Sequence, residues 1–201
     1  MLFDDTYKTL ASPSEGFFKD RGSKFISFAF PILNETDVKA HLAALRDLHP
    51  KAVHHCFAYR LGQDRMSYKI SDDGEPSGTA GRPILNTLFS KEVTNLLIVV
   101  VRYFGGTLLG VPGLINAYKM ATESALAEGT IVSRYLFNVY ELKFAYIQMN
   151  DVMRIVKEME LPVLQQHFEM ECSMMLEVRN TLTERFIARC GKVEELSVSL
   201  K

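Results

Sequence analysis

Cysteine is scarce in this chain: 201 residues hold three, Cys56, Cys172 and Cys190. They are odd in number and stand far apart without CxxC spacing. That argues against a disulfide framework or a zinc knuckle and makes a reducing cytoplasm the expected compartment. Long apolar runs are missing too. The cleanest, LLIVVV at 96–101, is strand length, well short of the ~18–20 residues that span a bilayer. Neither charge sign prevails: 23 Lys and Arg stand against 24 Asp and Glu, a net charge of −1. This excludes a protein that wraps nucleic acid over its whole surface and leaves room for a local basic patch. The opening MLFDDTYKTL is acidic and lacks an apolar h-region, so no secretory signal is expected.

What is present suffices for a real core. Hydrophobic residues make up 47% and charged residues 23%, ordinary for a globular protein, and the length fits one large domain or two small ones. SKFISFAFPI (23–32) alternates and is rich in aromatics, which predicts a strand. ETDVKAHLAALRDLHP then puts Val38, Leu42, Leu45 and Leu48 on one helical face, with Thr36 as N-cap and Pro50 as the stop. KAVHHCFAYRLG and RMSYKI predict two strands joined by a turn at Gly62–Asp64. RPILNTLFSKE predicts a short helix. The β-branched run in TNLLIVVVRYF (94–104) predicts a central strand buried on both faces. It leads through GGTLLGVPG into the helix GLINAYKMATESALAEG, whose buried stripe is Leu114, Tyr118, Ala121 and Ala125 and whose stop is Gly129.

From Tyr135 the order becomes strand, helix, two strands, helix, strand. Asn150 is expected to cap the first of these helices, and Thr181 with Glu184 to form a capping box on the second, which Gly191 ends. This βαββαβ order is the ferredoxin-like split motif. The fold class is therefore α+β in two domains, 1–135 and 136–201, with the Met-rich run MECSMMLEV in the core of the smaller.

Two segments concentrate turn chemistry. SDDGEPSGTAGRP (71–83) carries three Gly, two Pro and the carboxylates Asp72, Asp73 and Glu75. Either these carboxylates accept backbone N–H groups, or they hold a hard cation or act as an acid–base pair. Arg102, ending a buried strand, requires a carboxylate partner. RYFGGTLLGVPG places Gly105, Gly106, Gly110 and Gly113 between that strand and a helix start. The choices there are tight packing or anion binding, with Thr79 and Thr107 as donors and Arg82 or Arg102 offsetting the loop's carboxylates. Neither GxGxxG nor GxxxxGK[ST] is matched. On a regular strand His54 shares a face with Cys56 while His55 points the other way, so the two histidines form no simple metal clamp. No metal or cofactor is expected.

RGSKFIS, HHCFAYRLG, SDDGEPSGTAGRPIL and VVVRYFGGTLLGVPGL resemble the signature blocks of the IMPACT family, which includes bacterial YigZ proteins, over nearly the whole chain. The resemblance implies a first domain like domain 2 of ribosomal protein S5 and a second like the last domain of elongation factor G. It implies a role in regulating translational initiation, with RNA, the ribosome or a translation factor as partner. The family's functional surface maps onto His54, Asp72, Asp73, Gly74, Glu75, Pro76, Gly78, Thr79, Gly81, Arg102, Tyr103, Gly105, Gly106, Gly110 and Gly113. The chain departs from the family at Val111 and Pro112, where small residues are usual, and at Asn116, where a basic one is. Two functions stay open: a noncatalytic binding protein, or an enzyme acting on a phosphorylated small molecule.

Overall fold

A computed structural model describes residues 5–62 and 66–201. The last two positions of the turn expected at Gly62–Asp64 lie outside the described residues. The chain divides into two compact units, one spanning Tyr7–Arg134 and the other running from Tyr135 to Lys201 together with Asp5 and Thr6.

The first unit is built on a five-stranded antiparallel sheet. Its strands in chain order are β2 (Ser14–Asp20), β3 (Ser23–Pro31), β4 (His54–Leu61), β5 (Ser67–Ser71) and β6 (Leu96–Tyr103). They lie side by side as β2-β3-β6-β4-β5. The two outer sequence elements, β1 (Thr6–Leu10) and β7 (Ile131–Tyr135), pair with each other in a separate two-stranded sheet. Three helices cover the larger sheet: α1 (Glu35–Leu48), α2 (Gly81–Ser90) and α3 (Gly110–Glu128). Strand β6 explains the unbroken Leu96–Val101 run. Leu96, Ile98 and Val100 pack with Ile84, Leu88, Ala117 and Tyr118 of α2 and α3. Leu97, Val99 and Val101 pack on the opposite face with Val38 and Leu45 of α1.

Packing is closest where α3 crosses β2. A Cβ on Gly16 would lie 2.2 Å from the Ala125 backbone nitrogen, so only glycine fits there. Ser14 and Ser27 donate hydroxyls to the Ala125 and Ala121 carbonyls at 2.7 and 2.6 Å. The helix carbonyls thereby give both serine hydroxyls an acceptor where the helix packs on the sheet.

The second unit has the order β8 (Phe137–Ala145), α4 (Met149–Glu158), β9 (Val163–Phe168), β10 (Glu171–Arg179), α5 (Thr183–Cys190), β11 (Ser197–Leu200). Its sheet runs β11-β8-β10-β9, every pair antiparallel. Along β10 alternate residues Cys172, Met174, Leu176 and Val178 are buried against Val152, Val156 and Phe186 of the helices. The βαββαβ order matches the sequence reading; the Met-rich run enters the core through Cys172, Met174, Leu176 and Val178, while Met170 is 91% exposed. Asp5 joins this unit: its carboxylate accepts both Nε and Nη2 of Arg179 at 3.1 Å and the Thr181 hydroxyl at 2.6 Å. No helix among the described residues is long and apolar enough to cross a membrane.

The helix ends correct several expectations. Asn34, not Thr36, caps α1, accepting the N–H groups of Thr36 and Asp37 while Asp37 answers with its own carboxylate. Helix α4 starts after Gln148, so Asn150 lies inside it, and α5 starts at Thr183 after Leu182, whose side chain cannot cap, so Thr181 does not cap it. Gly129 and Gly191 follow α3 and α5 with φ of −93° and −64°, so neither ends its helix through a left-handed turn. Gly129 is needed for space instead: a Cβ there would meet Leu10 and Ser14 at 2.8 Å. Helix α3 begins at Gly110, three residues earlier than expected.

Candidate functional site

The loop between β5 and α2 turns its carboxylates inward, each onto a different set of donors. Asp72 accepts the N–H groups of Gly78, Ala80 and Gly81 at 2.8, 3.0 and 2.8 Å. It thereby caps α2 from outside the helix, replacing the side-chain cap that Ala80 cannot supply. Asp73 accepts the His55 N–H at 2.7 Å and meets Arg46 at 3.4 Å, with its own backbone at φ +41°. Glu75 goes deepest. Its Oε1 accepts Arg102 Nη1 at 2.5 Å and the Tyr118 hydroxyl at 2.8 Å, and all three side chains are buried. The carboxylate partner that Arg102 required is therefore Glu75.

This ion pair sits beneath the junction of both turn-rich segments. Arg102 Nη2 also reaches the Ser23 hydroxyl at 3.4 Å, and Ser23 accepts the Gly105 N–H at 3.1 Å. Arg102 Nε is buried without a hydrogen-bond partner among the described residues. Gly105 is pressed against the β2–β3 turn: a Cβ would lie 1.9 Å from the Gly22 carbonyl carbon. Gly106 and Gly110 are different. Their φ values are +85° and +70°, and nothing lies within 4 Å of a Cβ on either. They are required for the path of the turn rather than for room. Arg21 holds this turn from the side, donating to the Leu108 and Leu109 carbonyls at 3.4 and 2.8 Å.

His54 lies over the same pair. Its Nδ1 donates to the Asp73 carbonyl at 2.7 Å, and its Nε2 lies 3.9 Å from Glu75 Oε1. Cys56, two residues on and on the same face, lies 3.0 Å from the Asp72 carbonyl and 3.2 Å from the Tyr118 hydroxyl. Burial, more than any neighbouring charge, pushes the Cys56 thiol and the Tyr118 hydroxyl well above their ordinary values. Both stay protonated, as hydrogen-bonding groups rather than nucleophiles. On the other face His55 is buried, and desolvation lowers its pKa against the opposing charge of Asp73.

The sequence candidates thus separate by what they offer a ligand. Asp72, Asp73, Glu75 and Arg102 are committed internally. So is Thr79, whose hydroxyl donates to the Pro76 carbonyl at 2.7 Å, which leaves it no proton for a phosphate. Tyr103 turns away, meeting His49 Nδ1 at 2.9 Å. Gly74, with φ +90°, lies against the His54 ring, and Gly81 against Ser71 and Ile70. Gly113 lies against Arg21 and Leu109. Pro76, Arg82, Gly105, Gly106, Thr107 and Gly110 are exposed. Among the described residues no group of three His, Cys, Asp or Glu side chains is placed to hold a metal.

Sequence reasoning missed two parts of the site. Ser23 and Tyr118 supply its buried hydrogen bonds, each from a mostly apolar face that also carries one other hydroxyl, Ser27 or Thr122. The other part is apolar: Leu108 is 81% exposed, with Phe104, Val111 and Ile115 also open beside it in sequence. Within the run TLLGVPGLI, Leu109 and Leu114 enter the core while Leu108, Val111 and Ile115 stay exposed, a division that its spacing does not announce.

A family model described as the Impact N-terminal domain matches residues 21–126. An IMPACT family member of Haemophilus influenzae is 36% identical over 169 residues, covering 82% of this chain and 81% of that protein. The IMPACT family member YigZ of Escherichia coli is 34% identical over 149 residues, 73% of each. A solved structure, of a hypothetical protein, is 28% identical and superposes with a TM-score of 0.75 over 96% of both chains. A structure of the two-domain translational regulator Yih1 is 30% identical over 61% of this chain and 47% of its own, with a TM-score of 0.37.

Proposed function

The chain belongs to the IMPACT family, and from that premise we propose that it is a noncatalytic, cytoplasmic, translation-linked binding protein. Its partner is RNA, the ribosome or a translation factor, met on the surface where the 71–83 loop joins the glycine turn. On this reading residues 1–135 form a domain like domain 2 of ribosomal protein S5, and residues 136–201 a ferredoxin-like domain. Kinship supports the translation link, since the relative Yih1 is a translational regulator.

One observation carries the noncatalytic part: all three loop carboxylates are bonded to internal donors, so none is free to move a substrate proton. A ligand meets backbone, apolar side chains and Arg82 instead. The enzyme reading keeps one specific support, the free Nε2 of His54 beside Glu75.

Co-sedimentation of the full chain with purified ribosomal subunits, alongside a structured RNA, tests the proposal. Leu108→Asp removes an exposed apolar contact without touching the core, so it should lower binding while leaving the melting temperature unchanged. Unaltered binding would remove the glycine turn from the interface. Turnover of a phosphorylated small molecule, abolished by His54→Ala, would overturn the noncatalytic reading.

A further inference from the structure

The outermost strand of a sheet presents unpaired N–H and C=O groups, and charged side chains along it are a common guard against pairing with another chain. Most edges of this molecule are guarded in that way. In the five-stranded sheet β2 carries Glu15, Lys19 and Asp20, and β5 carries Lys69 at its centre. In the two-stranded sheet β1 carries Lys8 and β7 carries Arg134. In the second unit β11 is only four residues long, and Lys201 follows it, 2.7 Å from Glu141. Strand β9, at the other edge of that sheet, differs. Its six residues, VLQQHF, include no Asp, Glu, Lys or Arg, and every one of them is exposed. Val163, Leu164 and Phe168 bring apolar surface to this bare edge.

The side chains of β9 select what pairs with it. Its register with β10 fixes the face of each residue. Gln166 and Phe168 stand opposite Met174 and Cys172, whose side chains are buried under the helices, while Gln165 and His167 stand opposite Met175 and Ser173 on the other face. Leu164 is the extra residue of a bulge, without a counterpart in β10. A second β9 laid antiparallel and centred on Gln166 pairs every residue of this stretch with one on the same face. Gln166 then meets its own copy, Gln165 meets His167, and Leu164 meets Phe168. Amide faces amide or imidazole, and the exposed apolar residues cover each other. Glu169, the first carboxylate beyond the strand, falls opposite Val163, so no two like charges face each other. Centring on Gln165 would set Phe168 opposite Pro162, which has no N–H to give, and centring on His167 would set it opposite Gln166. The strand is therefore complementary to itself, in one register.

We propose that β9 is a homodimer interface: two copies of the chain join antiparallel at Gln166, so that their four-stranded sheets continue as one across a two-fold axis. A contact made by one strand from each copy is small, so the dimer is weak and forms as concentration rises. This goes beyond the translation-linked reading and does not depend on it.

Sedimentation velocity of the full chain over a rising concentration series should show monomer giving way to dimer. Gln166→Lys sets two cations against each other at the two-fold axis and should weaken association roughly tenfold or more. Gln166 is exposed, so the melting temperature should not change. Cross-linking reads the register directly. The three native cysteines are buried, so an introduced one is the accessible thiol. Directly opposed residues on antiparallel strands have Cα atoms ~4.5–5.5 Å apart, within the span of a disulfide. Gln166→Cys should therefore form a disulfide-linked dimer on mild oxidation. Gln165→Cys alone should not, because its own copy lies two residues out of register, but a mixture of Gln165→Cys with His167→Cys should. The proposal is overturned if the parent stays monomeric across the series, if Gln166→Lys associates as well as the parent, or if Gln165→Cys alone cross-links as readily as Gln166→Cys.

Discussion

The unit spanning Tyr7–Arg134 keeps a complete ion pair, Arg102 with Glu75, beneath its loops. It also buries Arg60, His55 and the hydroxyls of Ser23, Ser27, Thr79 and Thr122. In the unit from Tyr135 onward the core is apolar, and the one buried charge among the described residues is Asp5, which arrives from the far end of the sequence. A buried charge gives net stability only through its geometry, whereas an apolar core tolerates imprecision. The difference teaches where the first unit has been specified most narrowly: under the junction of its two turn-rich segments. Glu75, Asp72 and Ser23 fix the surface from below, and the surface itself is left to glycines and exposed apolar residues.

The most damaging way to break this arrangement is Glu75→Ala. It strands the Arg102 guanidinium in a site that is almost fully buried and removes the acceptor of Tyr118. Loss of one partner from a buried pair costs about 3–5 kcal/mol. Glu75→Gln should cost less, because the amide oxygen still accepts from both donors. Urea unfolding of the two variants measures the difference. A Glu75→Ala protein as stable as the parent would mean that the pair locks nothing.

A smaller effect separates two kinds of glycine within the same unit. Gly105→Ala drives a methyl into the Gly22 backbone, which cannot rotate away, so it should cost about 1–3 kcal/mol as an overpacking defect. Gly78→Ala meets open space and suffers only from its φ of +78°, a penalty of about 1 kcal/mol. Thermal melts should rank them in that order, and Gly78→Ala should leave the Arg102–Glu75 pair intact. The reverse ranking would show that the β2–β3 turn yields, and that its contact with Gly105 positions nothing.

The same contrast decides what the sequence could disclose. Periodicity revealed β3, β4, β6, α1, α3 and the whole order of the second unit, because in each an apolar face repeats at the period of its element. Strands β1 and β7 escaped, since they pair mainly with each other and carry mixed polarity. Strand β2 escaped because Gly16, which reads as a turn residue, is there to admit α3. Caps failed where a short 3-10 turn shifted the helix start past the expected residue, as the turn Asn180–Leu182 does before α5. In the site, burial at the end of β6 dictated that Arg102 needs a carboxylate. Nothing local chose Glu75 over its neighbours, because an irregular loop has no period from which to read direction. The inward turn of the loop's carboxylates was legible only in three dimensions.

The mildest perturbation falls in the second unit, and it depends on pH. Asp5 is held below the ordinary value of 3.8, first by its hydrogen bonds from Arg179, then by the one from Thr181. A carboxylate with a lowered folded-state pKa contributes stability that is fully present above 3.8 and disappears as pH falls through the folded value. Asp5→Asn lacks that contribution at every pH. The parent should therefore melt above Asp5→Asn at neutral pH, and the gap should close in acid below 3.8. The same contact bears on whether residues 136–201 fold alone, as we propose. A fragment of that length leaves Arg179 and Thr181 without their acceptor, so it should melt cooperatively but below the corresponding transition of the full chain, and by more at neutral pH than in acid. Calorimetry of the three proteins between neutral pH and pH ~3 provides the comparison. A gap between parent and Asp5→Asn that stays constant across this range would show that the Asp5 carboxylate adds nothing through its charge, and that its place beside Arg179 is packing alone.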